Sequence, residues 1–527
     1  MTVNLTAKPL LFRLPACDAV WVRQGVIAVA IALLTLAVRL PFAHFIDDDE
    51  AFYSLVGQRW LHGLWPYTGS FDVKPPLLFA MFAAVQAVFG MSLATIKGLE
   101  IACVIWGAIA LQRLIARQAA WRDATPVSLW AGGLFPLLSL AQGGMTAANA
   151  LLLSPFVISA VSAMSKAAET RGPEVSPLRQ VFLAGLWIGL AGMVKQTAVF
   201  EALGLAGFAL WHFRGRRPVQ VLLVFVAGAA LPALAFAAGF AAVGHFGDMW
   251  QAVVAGAMAR TSLKISGGPH VFWLLKFIVL MSPLAVLAGM AISAGLRRHA
   301  IAQTFPASLF GLAALWAFCA SAGCIAGQSD LSYYAIPLIA PLLILSGAFV
   351  MSVAPRAGMP RYLTILGFAV AVLGQAAWSE RDVLSGGLQS GDDYAAAHAA
   401  AVELKRLGWQ PSDDLMTPQR GLFTFVALGA TPRSRYFHSM HLMCHFPTPD
   451  PHPLFGALAA RPRFIILPDP GIWLACEDAG YYRRLAATLK TDYALEGGAN
   501  GYWSRYLIYE LRPAQGRPGS HAAESAR

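Results

Sequence analysis

The chain has 527 residues, of which 57% are hydrophobic and only 13% are charged. Because an average soluble domain carries roughly 25% charged residues, this composition excludes an ordinary water-soluble protein and predicts a surface that largely faces lipid. The net charge of +11 does not indicate nucleic-acid binding, since the basic residues form small clusters between apolar stretches, as they do beside anionic lipid.

Apolar stretches of helix-spanning length recur through the first part of the chain. The first of them is predicted to be a retained span rather than a cleaved signal, because it continues into a loop rich in acids. The stretch 77–93 fits either a further span or an interfacial helix, and we keep it in the first outer loop, residues 44–97. We predict about eleven spans, at 24–43, 98–116, 127–142, 150–165, 180–194, 197–213, 219–243, 271–296, 305–325, 334–353 and 362–378.

Basic residues are more frequent on one predicted side of the membrane. If the N-terminus is cytoplasmic, each inner segment carries two or three of them, for example Arg113, Arg117 and Arg122. This bias sets topology, and an odd number of spans then leaves the C-terminus outside. Short loops are typical of a bacterial inner membrane, so the outer side is expected to be the periplasm.

The composition changes after Trp378, and residues 379–512 are polar enough to fold in water. Helical spacing over 394–407, ended by Gly408, alternates with a buried strand at 463–469, a helix at 481–489 and a strand at 502–511. We therefore predict a mainly α fold, in which a polytopic transmembrane domain (residues 1–378) is followed by an extracytoplasmic α/β domain. The tail, residues 513–527, is predicted to be disordered.

Acidic residues gather in the first outer loop. Asp47-Asp48-Asp49-Glu50 directly follows the first span, and Asp72-Val73-Lys74-Pro75-Pro76 comes later in the same loop. A carboxylate held there could act as a general base, and a lysine can pair with a phosphate as a point charge. The alternative is that the acid run only marks a solvated loop end, but acids beside a span are more often functional.

Two motifs in this loop, Asp49-Glu50-Ala51-Phe52-Tyr53 and Lys74-Pro75-Pro76-Leu77-Leu78, resemble the first outer loop of family 39 glycosyltransferases. That group includes protein O-mannosyltransferases and the bacterial transferase that puts aminoarabinose on lipid A, and it has the GT-C membrane fold. The resemblance is strongest over residues 36–92. It implies inverting transfer of a sugar from a polyprenyl-phosphate carrier to a lipid, glycan or protein acceptor.

The resemblance also implies roles for individual residues. Asp49 would be the catalytic base, with Glu50 as a second, supporting catalytic residue, and Lys74 would neutralise the leaving phosphate. The sequence departs from the family pattern where Phe52 replaces a frequent arginine and Val73 separates Asp72 from Lys74.

Further polar residues on the predicted outer side are candidates for the same site. Lys195, Arg260 and Lys264 could bind the donor phosphate, although headgroup contact or snorkelling would also explain them. Where many relatives carry a second acid the sequence has Asn149, which can orient a hydroxyl but cannot act as a base. The tyrosines of the loop before the tenth span could instead belong to an aromatic belt. The candidate substrate-binding residues are Asp48, Tyr53, Asp72, Asn149, Gln328, Tyr333 and Tyr334.

The predicted extracytoplasmic domain contains a group of metal-ligand residues, His438, His441, Cys444 and His445. Their spacing matches no zinc module, so they do not predict a metal site. Relatives can bind a divalent metal ion near the acid loop, and the sequence does not decide whether this chain does. Cys444 and Cys476 could form a disulfide in an oxidising compartment.

Two functions of other classes compete with a membrane-bound glycosyltransferase. A transporter or flippase of a lipid-linked substrate would predict inverted repeats and charges near mid-membrane, whereas the charges here concentrate at one face. A sensor or scaffold would use the last domain to bind a ligand and would not depend on Asp49.

Overall fold

The computed structural model describes most of the chain. The described residues are 20–118, 124–141, 144–170, 177–215, 217–260, 272, 275–276, 278–279, 281–282, 284–296, 307–326, 332–353, 361–379, 381, 385, 391–443, 448–469, 479–500 and 505–513.

Helices make up the first part of the chain. In chain order they are α1 (Val20–Arg39), α2 (Asp48–Leu61), α3 (Pro76–Phe89), α4 (Leu93–Ala116), α5 (Ala124–Ala141), α6 (Asn149–Leu152), α7 (Ser154–Glu169), α8 (Leu178–Val194), α9 (Ala198–His212) and α10 (Pro218–Ala242). They continue with α11 (Phe246–Trp250), a π-helical turn (Gln251–Gly256), α12 (Ala257–Arg260), α13 (Leu284–Leu296), α14 (Ala307–Ala326), α15 (Ile336–Val353) and α16 (Arg361–Ser379).

Six of the described helical segments are long and apolar enough to cross a membrane: Val22–Phe42, Leu93–Ala116, Asn149–Glu169, Pro218–Ala242, Ala307–Ala326 and Tyr333–Val350. Six shorter apolar helices accompany them. Large apolar side chains such as Leu33, Leu223 and Phe318 point outward and are 61%, 63% and 72% exposed, as expected where lipid replaces water. The chain is a membrane protein, and the predicted spans fall on these helices wherever the structure describes them. The number of crossings, about eleven, stays a prediction.

Helices α8 and α10 pack against each other with their backbones in close approach. A methyl group added at Gly185 would overlap the carbonyl oxygen of Phe225, and one at Gly228 would overlap that of Phe182. Small residues allow this approach, which is how helices associate where lipid supplies no hydrophobic driving force between them. The interior of the bundle is therefore closely packed without polar side chains at this contact.

The C-terminal module, residues 391–513, contains helices around a small mixed sheet. Its elements are α17 (Gly391–Arg406), β1 (Leu415–Met416), α18 (Phe423–Leu428), α19 (Ser439–Leu442), α20 (Pro453–Ala459), β2 (Phe464–Asp469), α21 (Ala479–Asp492), β3 (Tyr493–Asn500) and β4 (Arg505–Leu511). The strand order is β1-β2-β4-β3, with β1 and β2 parallel and the other two pairs antiparallel. The mainly α fold with a C-terminal α/β part is thus confirmed, whereas the boundary at 378 stays a prediction.

Within this module the four predicted elements are present. Helix α17 ends before Gly408, whose φ of +81° suits glycine and stops the helix. Strand β1, which has only two residues, and strand β3, in which two glycines interrupt the pattern of alternating side chains, were not predicted.

Candidate active site

The acid run forms the first turn of helix α2 rather than an irregular loop end. Asp47 is the N-cap: its side chain accepts a hydrogen bond from Asp49 N at 3.2 Å, and the Glu50 side chain accepts one from Asp47 N at 3.3 Å. This is a capping box, and acids in a first turn are also favoured by the helix dipole. Burial raises the pKa of Asp47 to about 6, with the Asp49 carboxylate acting in the same direction. The spacing Asp-x-x-Glu could have predicted this helix start.

Glu50 is fully buried and holds α2 against the helical bundle. Lys97 Nζ lies 2.8 Å from Glu50 Oε1, and Ala147 N donates to Oε2 at 2.9 Å. Lys97 is also 3.7 Å from Glu100, which pairs with Arg39 of α1. Burial raises the pKa of Glu50 to about 7, although Lys97 opposes this. These four charged side chains link α1, α2 and α4. The Glu50 carboxylate therefore faces Lys97 and the bundle rather than solvent.

Asp49, one residue earlier, points away from that network. The Tyr53 hydroxyl donates to Asp49 Oδ2 at 3.2 Å, and His438 Nε2 lies 3.1 Å from Oδ1. The Asp49 side chain is 31% exposed, so a reactant can reach it while both oxygens keep a protein partner. A carboxylate with fixed partners and open access can accept a proton from a bound group.

Lys74 lies on the other side of Tyr53. Its Nζ is 3.4 Å from Asp72 Oδ2 and 5.4 Å from the centre of the Tyr53 ring. The Tyr67 hydroxyl donates to the Lys74 carbonyl at 2.9 Å and fixes the backbone there, just before two prolines start α3. The Lys74 side chain is 14% exposed, whereas Asp72 is almost completely buried. Lys74 is therefore partly exposed and contacts the same tyrosine as Asp49.

Tyr53 connects these residues with the later helices. Asn149 Nδ2 donates to the Tyr53 hydroxyl at 3.4 Å, and Lys195 Nζ lies 3.8 Å above the centre of the Tyr334 ring. Burial raises the pKa of Tyr53 well above its ordinary value. Nearby groups act in the same direction, in the order Asp49, Asp72, Tyr333 and Tyr334. These contacts bring together most of the predicted site residues that the structure describes.

Asp48 contacts the C-terminal module. Its Oδ1 accepts hydrogen bonds from Gly421 N at 3.3 Å and Leu422 N at 3.2 Å, just before α18. Burial raises the pKa of Asp48, and the neighbouring Arg420 acts against this rise. The predicted role of Asp48 in substrate binding stays untested, while its contacts join α2 to the module.

A segment of the module, residues 432–441, lies along α2, and we call it the arm. Arg59 of α2 donates to the carbonyl oxygens of Pro432 at 2.5 Å and Ser434 at 2.7 Å. At its end the arm places His438 beside Asp49 and His441 Nε2 3.9 Å from Asp72 Oδ1. The arm thus completes the wall of the site.

Some predicted residues cannot be placed in this site. Arg260 ends α12, and its side chain lies outside the described part, as do Lys264 and Gln328. Cys444, His445 and Cys476 also lie outside the described residues, so the disulfide stays a prediction. Within the described ranges, no group of three or more His, Cys, Asp or Glu side chains could hold a metal ion.

Three residues that the structure brings to the site were not predicted to belong to it. His438 was considered only as part of a possible metal cluster, and no role was predicted for Lys97 or Arg59. No local motif marks any of them. Their partners lie 389, 47 and about 373 residues away in the chain, so only the folded arrangement shows the contacts.

Comparison with known proteins shows the class of fold. No family model matches the sequence, and no curated protein matches it either. Among solved structures, ArnT from Cupriavidus metallidurans bound to undecaprenyl phosphate is similar, with a TM-score of 0.61 and 16% identity over 93% of this chain and 98% of that one. The same protein in the apo state gives a TM-score of 0.58 and 15% identity over 93% and 97%.

A second enzyme has a similar structure. The archaeal oligosaccharyltransferase AglB from Archaeoglobus fulgidus, in complex with an inhibitory peptide and a dolichol-phosphate, has a TM-score of 0.52 and 12% identity. The match covers 84% of this chain and 69% of that one. ArnT and AglB are GT-C glycosyltransferases, and the chain shares their fold, as the sequence predicted.

Proposed function

We propose that this protein is a membrane glycosyltransferase that transfers a sugar from a polyprenyl-phosphate donor to an acceptor. The observation that carries the proposal is that an oriented, partly exposed carboxylate and a partly exposed lysine both contact the same buried tyrosine. Asp49 and Lys74 lie on either side of the buried Tyr53 in a chain with the GT-C fold. The solved structures of ArnT with undecaprenyl phosphate and of AglB with a dolichol-phosphate support a donor of this chemical class.

In the proposed reaction Asp49 is the general base. A hydroxyl or amine of the acceptor attacks the anomeric carbon while Asp49 takes its proton, and the bond from that carbon to the phosphate oxygen breaks. The electron pair of this bond leaves with the polyprenyl phosphate. A single displacement inverts the configuration at the anomeric carbon. General base catalysis of this kind typically contributes about 10²- to 10⁴-fold.

Lys74 supports the leaving group in this proposal. Negative charge develops on the donor phosphate as the bond breaks, and a nearby ammonium stabilises it where little water is present. Lys195, which stacks on Tyr334 at 3.8 Å, lies towards the later helices and is a second candidate for donor contact. Glu50 positions α2 through Lys97 and does not touch the substrate.

The charge pattern of the loops supports a proposal for where the reaction takes place. We propose a bacterial inner membrane with the C-terminal module in the periplasm, since the site and the module share one face of the bundle. The lipid carrier would lie between spans, and the acceptor, a lipid or glycan, would approach from the module's side.

Sugar transfer by the purified full-length protein in detergent tests this proposal. A panel of radiolabelled polyprenyl-phosphate sugars would be supplied with a membrane glycolipid extract. We expect Asp49→Asn to lower the rate by at least about 100-fold, because the amide cannot take the proton. Lys74→Met is expected to lower it by about 10-fold or more, because a charge-assisted contact to phosphate is lost.

Matched controls carry the same chemical changes far from the site. Asp469→Asn and Lys490→Met alter exposed residues of the C-terminal module and should transfer like the wild type. Equal rates for wild type and Asp49→Asn would assign the base elsewhere. Absence of transfer from every donor, with lipid binding retained, would favour a transporter or flippase instead.

A further inference from the structure

The two carboxylate oxygens of Asp49 each face a different partner. Tyr53, one turn along α2, donates to Oδ2, whereas His438 reaches Oδ1 from the C-terminal module. Met440 N donates to His438 Nδ1 at 3.1 Å. Because a neutral imidazole whose Nδ1 accepts a hydrogen bond carries its proton on Nε2, the ring presents an N–H donor to Asp49.

We propose that His438 is a positioning residue for the base, so that the C-terminal module completes the active site in the same chain. This inference rests on the proposed function and deepens it. His438 fixes the plane of the Asp49 carboxylate and stabilises its ionised form. A residue 389 positions away in the chain thus sets the geometry of the proton transfer.

The surroundings hold the imidazole in one orientation. Its ring meets the Phe52 ring edge-on with the centres 4.7 Å apart, and its side chain is only 10% exposed. The hydrogen bond from Met440 N to Nδ1 fixes the rotation of the imidazole about its Cβ–Cγ bond. A donor held in this way is ordered before the substrate binds, which is the condition for an effective active-site hydrogen bond.

The pH dependence of Asp49 also reflects the charged and titratable groups around it. Nearest to it are the N-cap Asp47, Asp48 and Tyr53 of α2, and His438 of the module. Further out, Arg420 acts on Asp47 and Asp48, and Lys74 and His441 lie beside Asp72 of the first loop. Tyr53 and His438 both contribute hydrogen bonds to the Asp49 carboxylate, which favour its ionised form. Loss of the His438 donor should therefore make the carboxylate easier to protonate.

Two substitutions separate the hydrogen bond from the packing. His438→Phe keeps an aromatic ring against Phe52 but removes the donor, whereas His438→Gln places an amide N–H near the position of Nε2. We expect His438→Phe to lower kcat by about 10-fold or more, with the KM for the donor within about twofold of wild type. The acidic limb of its pH–rate profile should move to higher pH. His438→Gln should recover most of the wild-type rate, and the acidic limb of its pH–rate profile should lie at the wild-type pH.

His398→Gln, at an exposed position of α17, is the matched control and should behave like wild type. The inference is overturned if His438→Phe keeps the wild-type kcat and pH profile while Asp49→Asn is inactive. It is also overturned if His438→Gln is as slow as His438→Phe while both variants keep the melting temperature of the wild type. A wild-type protein that transfers no sugar would instead overturn the proposed function, so the two failures are distinguishable.

Discussion

At the scale of single residues, Tyr53 is the centre of the site. Its hydroxyl donates to Asp49 and accepts from Asn149, and its ring lies under the Lys74 ammonium. The side chain is only 1% exposed, so the substrate does not need to touch it. Tyr53 therefore links the proposed base with the proposed phosphate-binding lysine and sets the distance between them.

Replacing Tyr53 by phenylalanine removes the hydroxyl and keeps the ring. We expect kcat to fall by about 10-fold, since a hydrogen bond to a charged group contributes about 1.5–3 kcal/mol, with little change in the KM for the donor. Initial rates over a range of donor concentrations would measure both constants. Tyr482→Phe, on an exposed part of α21, is the control. A rise in KM at constant kcat would instead make Tyr53 a binding residue.

At the scale of secondary structure, α2 is held from two directions. The capping box forms its first turn, and the buried network of Glu50, Lys97, Glu100 and Arg39 ties that turn to α1 and α4. Removing one member of a buried charge network leaves an uncompensated charge, which typically costs about 3–5 kcal/mol. The orientation of α2, and with it that of Asp49, depends on these pairs.

A double-mutant cycle on Glu50 and Lys97 tests this dependence. We expect Lys97→Met and Glu50→Gln each to lower the melting temperature and the transfer rate. The double variant should lose less unfolding free energy than the sum of the two single variants, by about 1 kcal/mol or more. The reason is that neither variant side chain leaves the other as an unpaired buried charge. Thermal unfolding in detergent measures the coupling. Additive losses would show that the two side chains stabilise α2 independently.

At the scale of the whole molecule, the C-terminal module reaches the site through the arm. Arg59 holds the arm by its backbone carbonyls, and Phe71 N donates to the Arg435 carbonyl at 3.1 Å. Behind the arm, Pro432–Phe437 line a cavity of about 380 Å³ within the module. The contacts with α2 and the first loop therefore help to position the arm.

Arg59→Ala should release the arm without disrupting the bundle. We expect limited proteolysis to cut within 432–441 several-fold faster, and transfer to fall by about 10-fold or more, because His438 loses its fixed position. Arg406→Ala, which changes an exposed arginine paired with Glu403, should alter neither measurement. Rapid cleavage with wild-type transfer would show that the module is not needed for catalysis.

The sequence by itself determined the class of molecule and many of its elements. Its low charge and long apolar stretches required a membrane, and the change in composition after Trp378 predicted an α/β part that the structure contains. The motifs around Asp49 and Lys74 indicated the GT-C fold. These features are local or periodic, so they can be read without knowing which segments meet.

Only the tertiary structure decided how the acids differ from one another. Asp48, Asp49 and Glu50 are adjacent and chemically similar, yet Asp48 binds the module, Asp49 is partly exposed beside His438 and Glu50 is buried against Lys97. Successive residues of a helix point in different directions, so neighbours in sequence meet different surroundings. His438 became part of the site for the same reason: a hydrogen bond depends on distance in space, and its partner lies in a remote segment of the chain.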